Sequence, residues 1–398
     1  AQEGDVTLIP CQEFREGFRV AGDDLLSEVI SSIILPKLKE TVTDVSKPEI
    51  DAKFKDLFGL NVANIPEQKK QIRRQFGLRV LNPLAVALLE QSLQCSPKMK
   101  ISPSAVLTSK TNENPPKSLI DYLQQSIRSL GCSHWSLMDQ EIMFTHEEVE
   151  QVFERLLGSI ISNISEVVNE LNVDLVLLTG RPSIHPVVRK MLVNSCIAPP
   201  NRIIAMHAYQ AGSWYPFRNN ENKVGDPKGT VAVGAMLITM SDRNIPNFYI
   251  PKGEFKMKST AKYIGRMEIG GQIKKPNIYF KPDDGKDGVE YTETMATPIF
   301  IGSRQLDVER WQTSPLYLLD FIGVPGQRPY KVTIKRREFE DNSDEEYSLA
   351  LEAIKETLEV IEVEDKEGKT IPPDQLKLSF QTLGYKGDYW LDTGCFIP

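Results

Sequence analysis

Residues 173–192 read VDLVLLTGRPSIHPVVRKML. An apolar run reaches Thr179-Gly180, turns through Arg181-Pro182-Ser183 and passes into a helical pattern. Pro186 falls in the first turn of that helix, where a missing N–H costs little. The run Leu175–Thr179 is apolar on both faces, as in a central parallel strand. Arg202–Met206 (RIIAM) reads as a further strand. Strand, helix and strand then make a βαβ unit whose hand and parallel pairing follow general rules. Gly180 lacks a Cβ, so the backbone can turn sharply there and a flat ligand can come close. Ser183 can cap the helix, and Arg181 can lie over a ring or reach a phosphate. The same geometry also serves plain strand-to-helix packing, and the residues alone leave both readings open.

Upstream, Thr145 and Glu148 form a Thr-x-x-Glu capping box. After it, Val149, Val152, Phe153, Leu156, Leu157, Ile160, Ile161, Ile164, Val167, Val168 and Leu171 make one long helical stripe. Gly22-Asp23-Asp24 precedes a second apolar helix, with Asp23 or Asp24 placed to cap it. Residues 5–20 suggest two short strands joined near Arg15-Glu16-Gly17. Residues 45–80 read as polar and helical, 82–93 as a short apolar helix, and 95–118 as a loop or exposed insertion. Downstream, Asp226-Pro227 opens KGTVAVGAMLITM, where Asp226 can cap and small Gly229, Ala232, Gly234 and Ala235 allow close packing. Past about residue 243 the texture turns to β-branched and aromatic runs broken by Gly, Pro and Asp, a β-rich domain. The acidic run Glu338–Glu346 reads as a solvated connector, and a β-like tail after it completes the sheet.

The chain has 398 residues, enough for two or three domains, with 40% hydrophobic and 25% charged residues. Its net charge of -7 argues against nucleic-acid binding driven by a basic face, although Lys69, Lys70, Arg73 and Arg74 make a local patch. The 5 cysteines are scattered and the 4 histidines lack metal-ligand spacing, so neither a disulfide framework nor a metal site is expected. No run of roughly 18 apolar residues predicts a membrane span. There is no Walker loop, no Gly-x-Gly-x-x-Gly opening a helix, no Gly-x-Ser-x-Gly and no His-Glu-x-x-His, and no catalytic residue is assigned. The aromatic loop GSWYPF places Trp214, Tyr215 and Phe217 in a Gly/Pro frame. Such residues either anchor a partner protein or fold back as a satellite core.

LVLLTGRPSIHPVVRKML resembles the adenosine-motif turn of the actin/Hsp70/sugar-kinase ATPase superfamily. DPKGTVAVGAML resembles that superfamily's second connecting helix, and EGFRVAGDDLLSEVI the Gly-Asp segment that follows its second phosphate loop. Together with HAYQAGSWYPF, these stretches resemble the bacterial virulence factor SrfB family over roughly residues 1–242.

The resemblance implies an α/β, ribonuclease-H-like actin-type half-domain over residues 1–242, with 45–145 as a helical and loop subdomain, then a β-rich domain over 243–398. It implies Thr179, Gly180, Arg181, Pro182 and Ser183 on the adenosine side of a nucleotide, and Gly22, Asp23 and Asp24 as nucleotide contacts or caps. Both phosphate loops of the superfamily lack a counterpart here. The resemblance therefore implies the C-terminal portion of a longer protein that uses ATP and Mg²⁺, with none held tightly by this portion and no turnover by it alone. Its setting would be the bacterial cytoplasm and its client a partner protein. A scaffold on a degenerate ATPase fold is the alternative, since Arg181 stands where chaperone-like members carry a small residue.

Overall fold

The computed structural model describes the chain apart from residues 1–5, 12, 15–16, 19, 44, 60–64, 110–113, 242–244, 251–260, 283–288, 312, 314, 322, 338–356, 381–388 and 397–398. The fold is mixed α/β with several small sheets. In chain order it runs β1 (Val6–Thr7), α1 (Gly22–Val29), α2 (Leu35–Glu40), α3 (Lys47–Phe58), α4 (Glu67–Phe76), α5 (Asn82–Ser92) and β2 (Met99–Ile101). Next come α6 (Pro103–Leu107), α7 (Lys117–Arg128), β3 (Ile142–Phe144), α8 (His146–Glu170), β4 (Val176–Leu178), α9 (Pro186–Ser195), β5 (Ile203–Ala205) and α10 (Thr230–Met240). The remainder is mostly strand: β6 (Phe248–Tyr249), β7 (Tyr263–Arg266), β8 (Ile278–Phe280), β9 (Glu290–Met295), β10 (Ile299–Arg304), β11 (Pro315–Asp320) and β12 (Tyr330–Arg337). The last three are β13 (Thr357–Glu364), β14 (Thr370–Ile371) and β15 (Lys377–Phe380).

The chain forms two compact units. The helical one takes Val20–Gln210, Gly225–Pro227 and Gly384–Pro398. Its longest helix, α8, starts where the capping box predicts: Glu148 N–H donates to Thr145 Oγ1 at 3.1 Å, and Thr145 N–H donates to Glu148 Oε2 at 2.8 Å. Val149, Val152, Phe153 and Ile161 of its stripe are buried, each contributing about 1.5–3 kcal/mol. Further along, Val167 of the stripe is buried, Asn163 and Ser165 are buried beside it, and Leu171, just past the helix end, is exposed. Two π-helical turns, Ile30–Ile34 and Gly77–Leu81, each lead directly into a helix with proline at its start. The wider turn takes the chain past Pro36 and Pro83 without breaking the helix, because a proline clashes with the ordinary i−4 carbonyl.

Beside this core, β4 and β5 pair in parallel with α9 between them, the expected βαβ unit. They form a two-stranded sheet in which Leu177 is 54% exposed. The expected double-sided burial of this strand is thus not met, because a two-stranded sheet has few neighbours to cover both faces. The stretch 95–118, expected as a loop, contributes β2, paired antiparallel to β3, and α6. Its apolar Met99, Ile101 and Leu107 are buried, and so override the Pro/Ser/Asn texture.

The β-rich unit takes Ala1–Arg19, Ala211–Val224 and Lys228–Leu383. A five-stranded sheet in the order β15-β11-β10-β7-β8 and a four-stranded sheet in the order β14-β13-β12-β9 share one core. Ile264, Phe280, Ile301 and Leu319 come from the first sheet, and Val332, Ile334 and Val363 from the second. The tail after the acidic run therefore serves both sheets, β13 in one and β15 in the other. Buried Leu358 and Val363 of β13 have opposite parity. A register shift between Thr333 and Ile334 of β12 absorbs the extra residue and returns both to the core. At the start of the chain β1 pairs in parallel with β6. Of the two strands expected in residues 5–20, only β1 forms among the described residues; Arg15 and Glu16 lie outside them. The acidic run Glu338–Glu346 also lies outside the described residues.

Helix α10 corrects a further expectation. It begins at Thr230 with Gly229 as N-cap, directly after a 3-10 turn Pro227–Gly229 that follows Asp226. Among the described residues, a Cβ built at Gly234 meets nothing within 4 Å, and Val231 is 72% exposed. Close packing occurs at one small residue instead, Gly229, where an added Cβ would lie 3.0 Å from the Phe217 ring.

Candidate functional site

The site grows from the end of β4. Thr179 Oγ1 donates to Pro227 O at 2.7 Å, tying the turn to the Asp226-Pro227 segment. Gly180 adopts φ 84 and ψ 158, a conformation that only glycine reaches without strain. Ser183 N–H and Ser183 Oγ–H both donate to Gly180 O, at 3.1 and 2.7 Å, and close a 3-10 turn Arg181–Ile184. Ser183 therefore seals the turn and does not cap the helix as expected. The cap is His185, whose Nδ1 accepts from Val187 N–H at 3.4 Å. Arg181 points to Asp226 at 3.7 Å, and with its side chain 72% exposed the pair contributes on the order of 0.5 kcal/mol. Among the described residues, apart from its chain neighbours, no atom lies within 4 Å of a Cβ built on Gly180, so the space over the turn is open. A Cβ on Gly22 would lie 3.9 Å from Pro182 Cγ. Gly22, Thr179–Ser183 and Asp226-Pro227, far apart in sequence, thus converge on one place.

Asp23 and Asp24 divide the work at the start of α1. Asp24 Oδ2 accepts from Ala21 N–H at 2.7 Å, a cap on the first turn. Asp23 is engaged by the far end of the chain: Tyr389 Oη–H donates to its Oδ2 at 2.6 Å, and Trp390 Nε1–H to its carbonyl at 2.9 Å. The helical turn Trp390–Thr393 is held in place by buried Arg73, which donates to Thr393 O and Gly59 O, each at 3.2 Å. Arg73 is a packing residue, and Lys69 and Lys70 of the same basic stretch pair with Asp56 and Glu67. Sequence reading missed this C-terminal turn, for which the aromatic pair Tyr389-Trp390 was the available signal.

A cavity of about 480 Å³ adjoins the turn, lined among others by Ser183, Ile184, Arg189, Ile204, His207 and Tyr209. That volume lies within the range of small-molecule sites. Arg189 is committed to the wall, donating to Ile203 O at 3.0 Å and Pro200 O at 2.5 Å. Burial lowers the pKa of His207, which favours its neutral form. The cavity was not legible in sequence, because residues 183–189 and 200–210 are brought together by tertiary contacts, among them the bonds of Arg189 to Ile203 O and Pro200 O.

Under the turn, His185 is buried between Phe153 of α8, with ring centroids 4.5 Å apart, and His146, at 6.0 Å. Ser92 Oγ lies 2.9 Å from its Nε2 and gives its own proton to Leu89 O at 2.6 Å. Ser92 is therefore the acceptor, Nε2 carries the hydrogen, and Nδ1 is free to cap α9. Burial, aided by neighbouring His146, lowers the His185 pKa from 6.5 to about 4.

In the β-rich unit, Tyr215 is buried, with Trp214 and Phe217 in edge contacts at 5.6 and 6.3 Å. Trp214 and Phe217 are 60% and 51% exposed, so the middle aromatic is the most deeply held of the three. Among the described residues, no group of three or more His, Cys, Asp or Glu could hold a metal ion. No helix of the described residues is long and apolar enough to cross a membrane.

A family model described as virulence factor SrfB matches residues 2–397. No curated protein matches the chain.

Proposed function

The chain belongs to the virulence factor SrfB family, and on that premise we propose that it supplies the nucleoside side of an ATP site of the actin/Hsp70 type. The carrying observation is the convergence of Gly22, Thr179–Ser183 and Asp226-Pro227 around a glycine turn that leaves open space above it. On this reading the base and ribose lie against Gly180 and the adjoining cavity, with Ser183 and Pro182 forming the floor. Arg181 is drawn aside by Asp226 and flanks the ligand. The residues fit a nucleoside better than its phosphates: Arg189 is spent on carbonyls, Asp23 is held by Tyr389, and no glycine-rich loop opens a helix here. The phosphate and Mg²⁺ contacts would come from other residues of a longer protein. Nucleotide state there would drive domain closure on a partner protein in the bacterial cytoplasm.

The test is ligand-observed NMR and calorimetry on this chain with adenosine, ADP, and ATP with Mg²⁺. Adenosine should bind, Mg²⁺ should add nothing, no phosphate should be released, and Gly180→Val should abolish the signal. Absence of adenosine binding to the folded chain refutes the proposal. A second reading, a scaffold without nucleotide turnover, is favoured by exposed Trp214 and Phe217. Under it, replacing both by alanine abolishes capture of the partner and leaves adenosine behaviour unchanged.

A further inference from the structure

Arg304 ends β10 inside the β-rich unit, opposite Tyr263 of β7, and its side chain has no exposed surface. Its guanidinium lies 5.1 Å from the centre of the Tyr263 ring, and Nη2 donates to Asp307 Oδ1 at 3.0 Å. Nε and Nη1 are buried and have no hydrogen-bond partner among the described residues. A guanidinium cannot escape this by losing its proton, since its pKa lies far above neutrality. Asp307 is 52% exposed and partly screened by water, so it offsets the buried charge only in part. Farther along the same loop, Trp311 is also wholly buried, and its Nε1–H has no partner among the described residues. Ser303 N–H donates to Thr313 Oγ1 at 3.3 Å and pinches the base of the loop, so both residues flank one closure.

We propose that Arg304 anchors a buried site for a small monovalent anion of halide size. Every unpartnered atom on Arg304 and Trp311 is a donor. A water molecule placed there would bring two donors of its own and need acceptors in turn, whereas an anion within reach of Nε or Nη1 only accepts. The complete burial of Arg304 sets the size, because a phosphate or an organic carboxylate would have to open the loop to enter. This site stands apart from the nucleoside reading and does not depend on it.

The experiment measures the thermal unfolding midpoint of the whole chain as chloride replaces gluconate at constant ionic strength. Wild type should show a saturable rise, because a ligand bound only by the folded state stabilises it by mass action. Arg304→Lys should weaken the apparent chloride affinity by about tenfold, the loss of one charge-assisted contact. A flat wild-type response, or equal saturation in both chains, overturns the proposal. Should Arg304→Lys fail to fold, wild-type crystals grown in bromide decide. An anomalous peak within hydrogen-bond reach of Arg304 Nε or Nη1 supports the site, and its absence overturns it.

Discussion

Lowering the pH should loosen the helical unit through His185. In the fold this imidazole is neutral, with Nε2–H donated to Ser92 and Nδ1 accepting from Val187 N–H, and its pKa falls from 6.5 to about 4. The groups facing it are His146 and Glu150 on α8 and, through Glu150, Lys190 on α9. Burial is the largest cause, His146 pushes the same way and Glu150 opposes. A lowered folded pKa means that the unfolded chain takes up the proton first. The stabilisation is therefore complete above 6.5 and is lost as the pH falls from 6.5 towards 4. At pH 5 those two values give a loss of about 2 kcal/mol relative to pH 7.5. The control is His185→Asn, which can still cap α9 but neither titrates nor reaches Ser92. It should cost about 2 kcal/mol at pH 7.5, from the lost hydrogen bond and ring packing. The assay is urea unfolding at both pH values, followed by hydrogen exchange of α8 and α9 amides so that the helical unit is read alone. The stability gap between wild type and His185→Asn should nearly close at pH 5. An equal gap at the two pH values refutes the reasoning.

Four further outcomes follow from backbone geometry and packing. Gly180→Ala places a Cβ in open space at φ 84, so strain alone should cost about 1–2 kcal/mol in chemical unfolding, without a clash. Gly265→Ala is different, because its Cβ would come within 2.1 Å of the Asn277 backbone carbonyl where β7 meets β8; a loss of about 3 kcal/mol or more, or failure to fold, should appear in the melting of the β-rich unit. By contrast Gly234→Ala, inside α10 and facing open space, should raise stability by about 0.5–1 kcal/mol, and a loss would mean that the helix face is covered. Trp390→Ala removes a buried ring packed on Phe396 and should cost about 3–5 kcal/mol, with the chain end becoming sensitive to carboxypeptidase.

The local elements were legible because their signals are local. A Thr-x-x-Glu box, an apolar stripe and a strand ending in Thr-Gly each specify backbone hydrogen bonds within a few residues. So α8, the β4-α9-β5 unit and the change to β texture past residue 243 could all be read directly. Tertiary structure decided what those elements touch. Ser183 reads as the cap in sequence; packing chose His185 instead, because Phe153 and Ser92 from distant helices hold its ring in place. The small residues 229–235 signal close packing in sequence, yet among the described residues an added Cβ would crowd a neighbour at Gly229 and meet none at Gly234. Asp23 reads as a cap, but its carboxylate is taken by Tyr389, 366 residues away. Contacts of that separation depend on loop closure and burial across the whole chain. No residue pattern of period two or 3.6 records them, and the open space over Gly180 belongs to the same class.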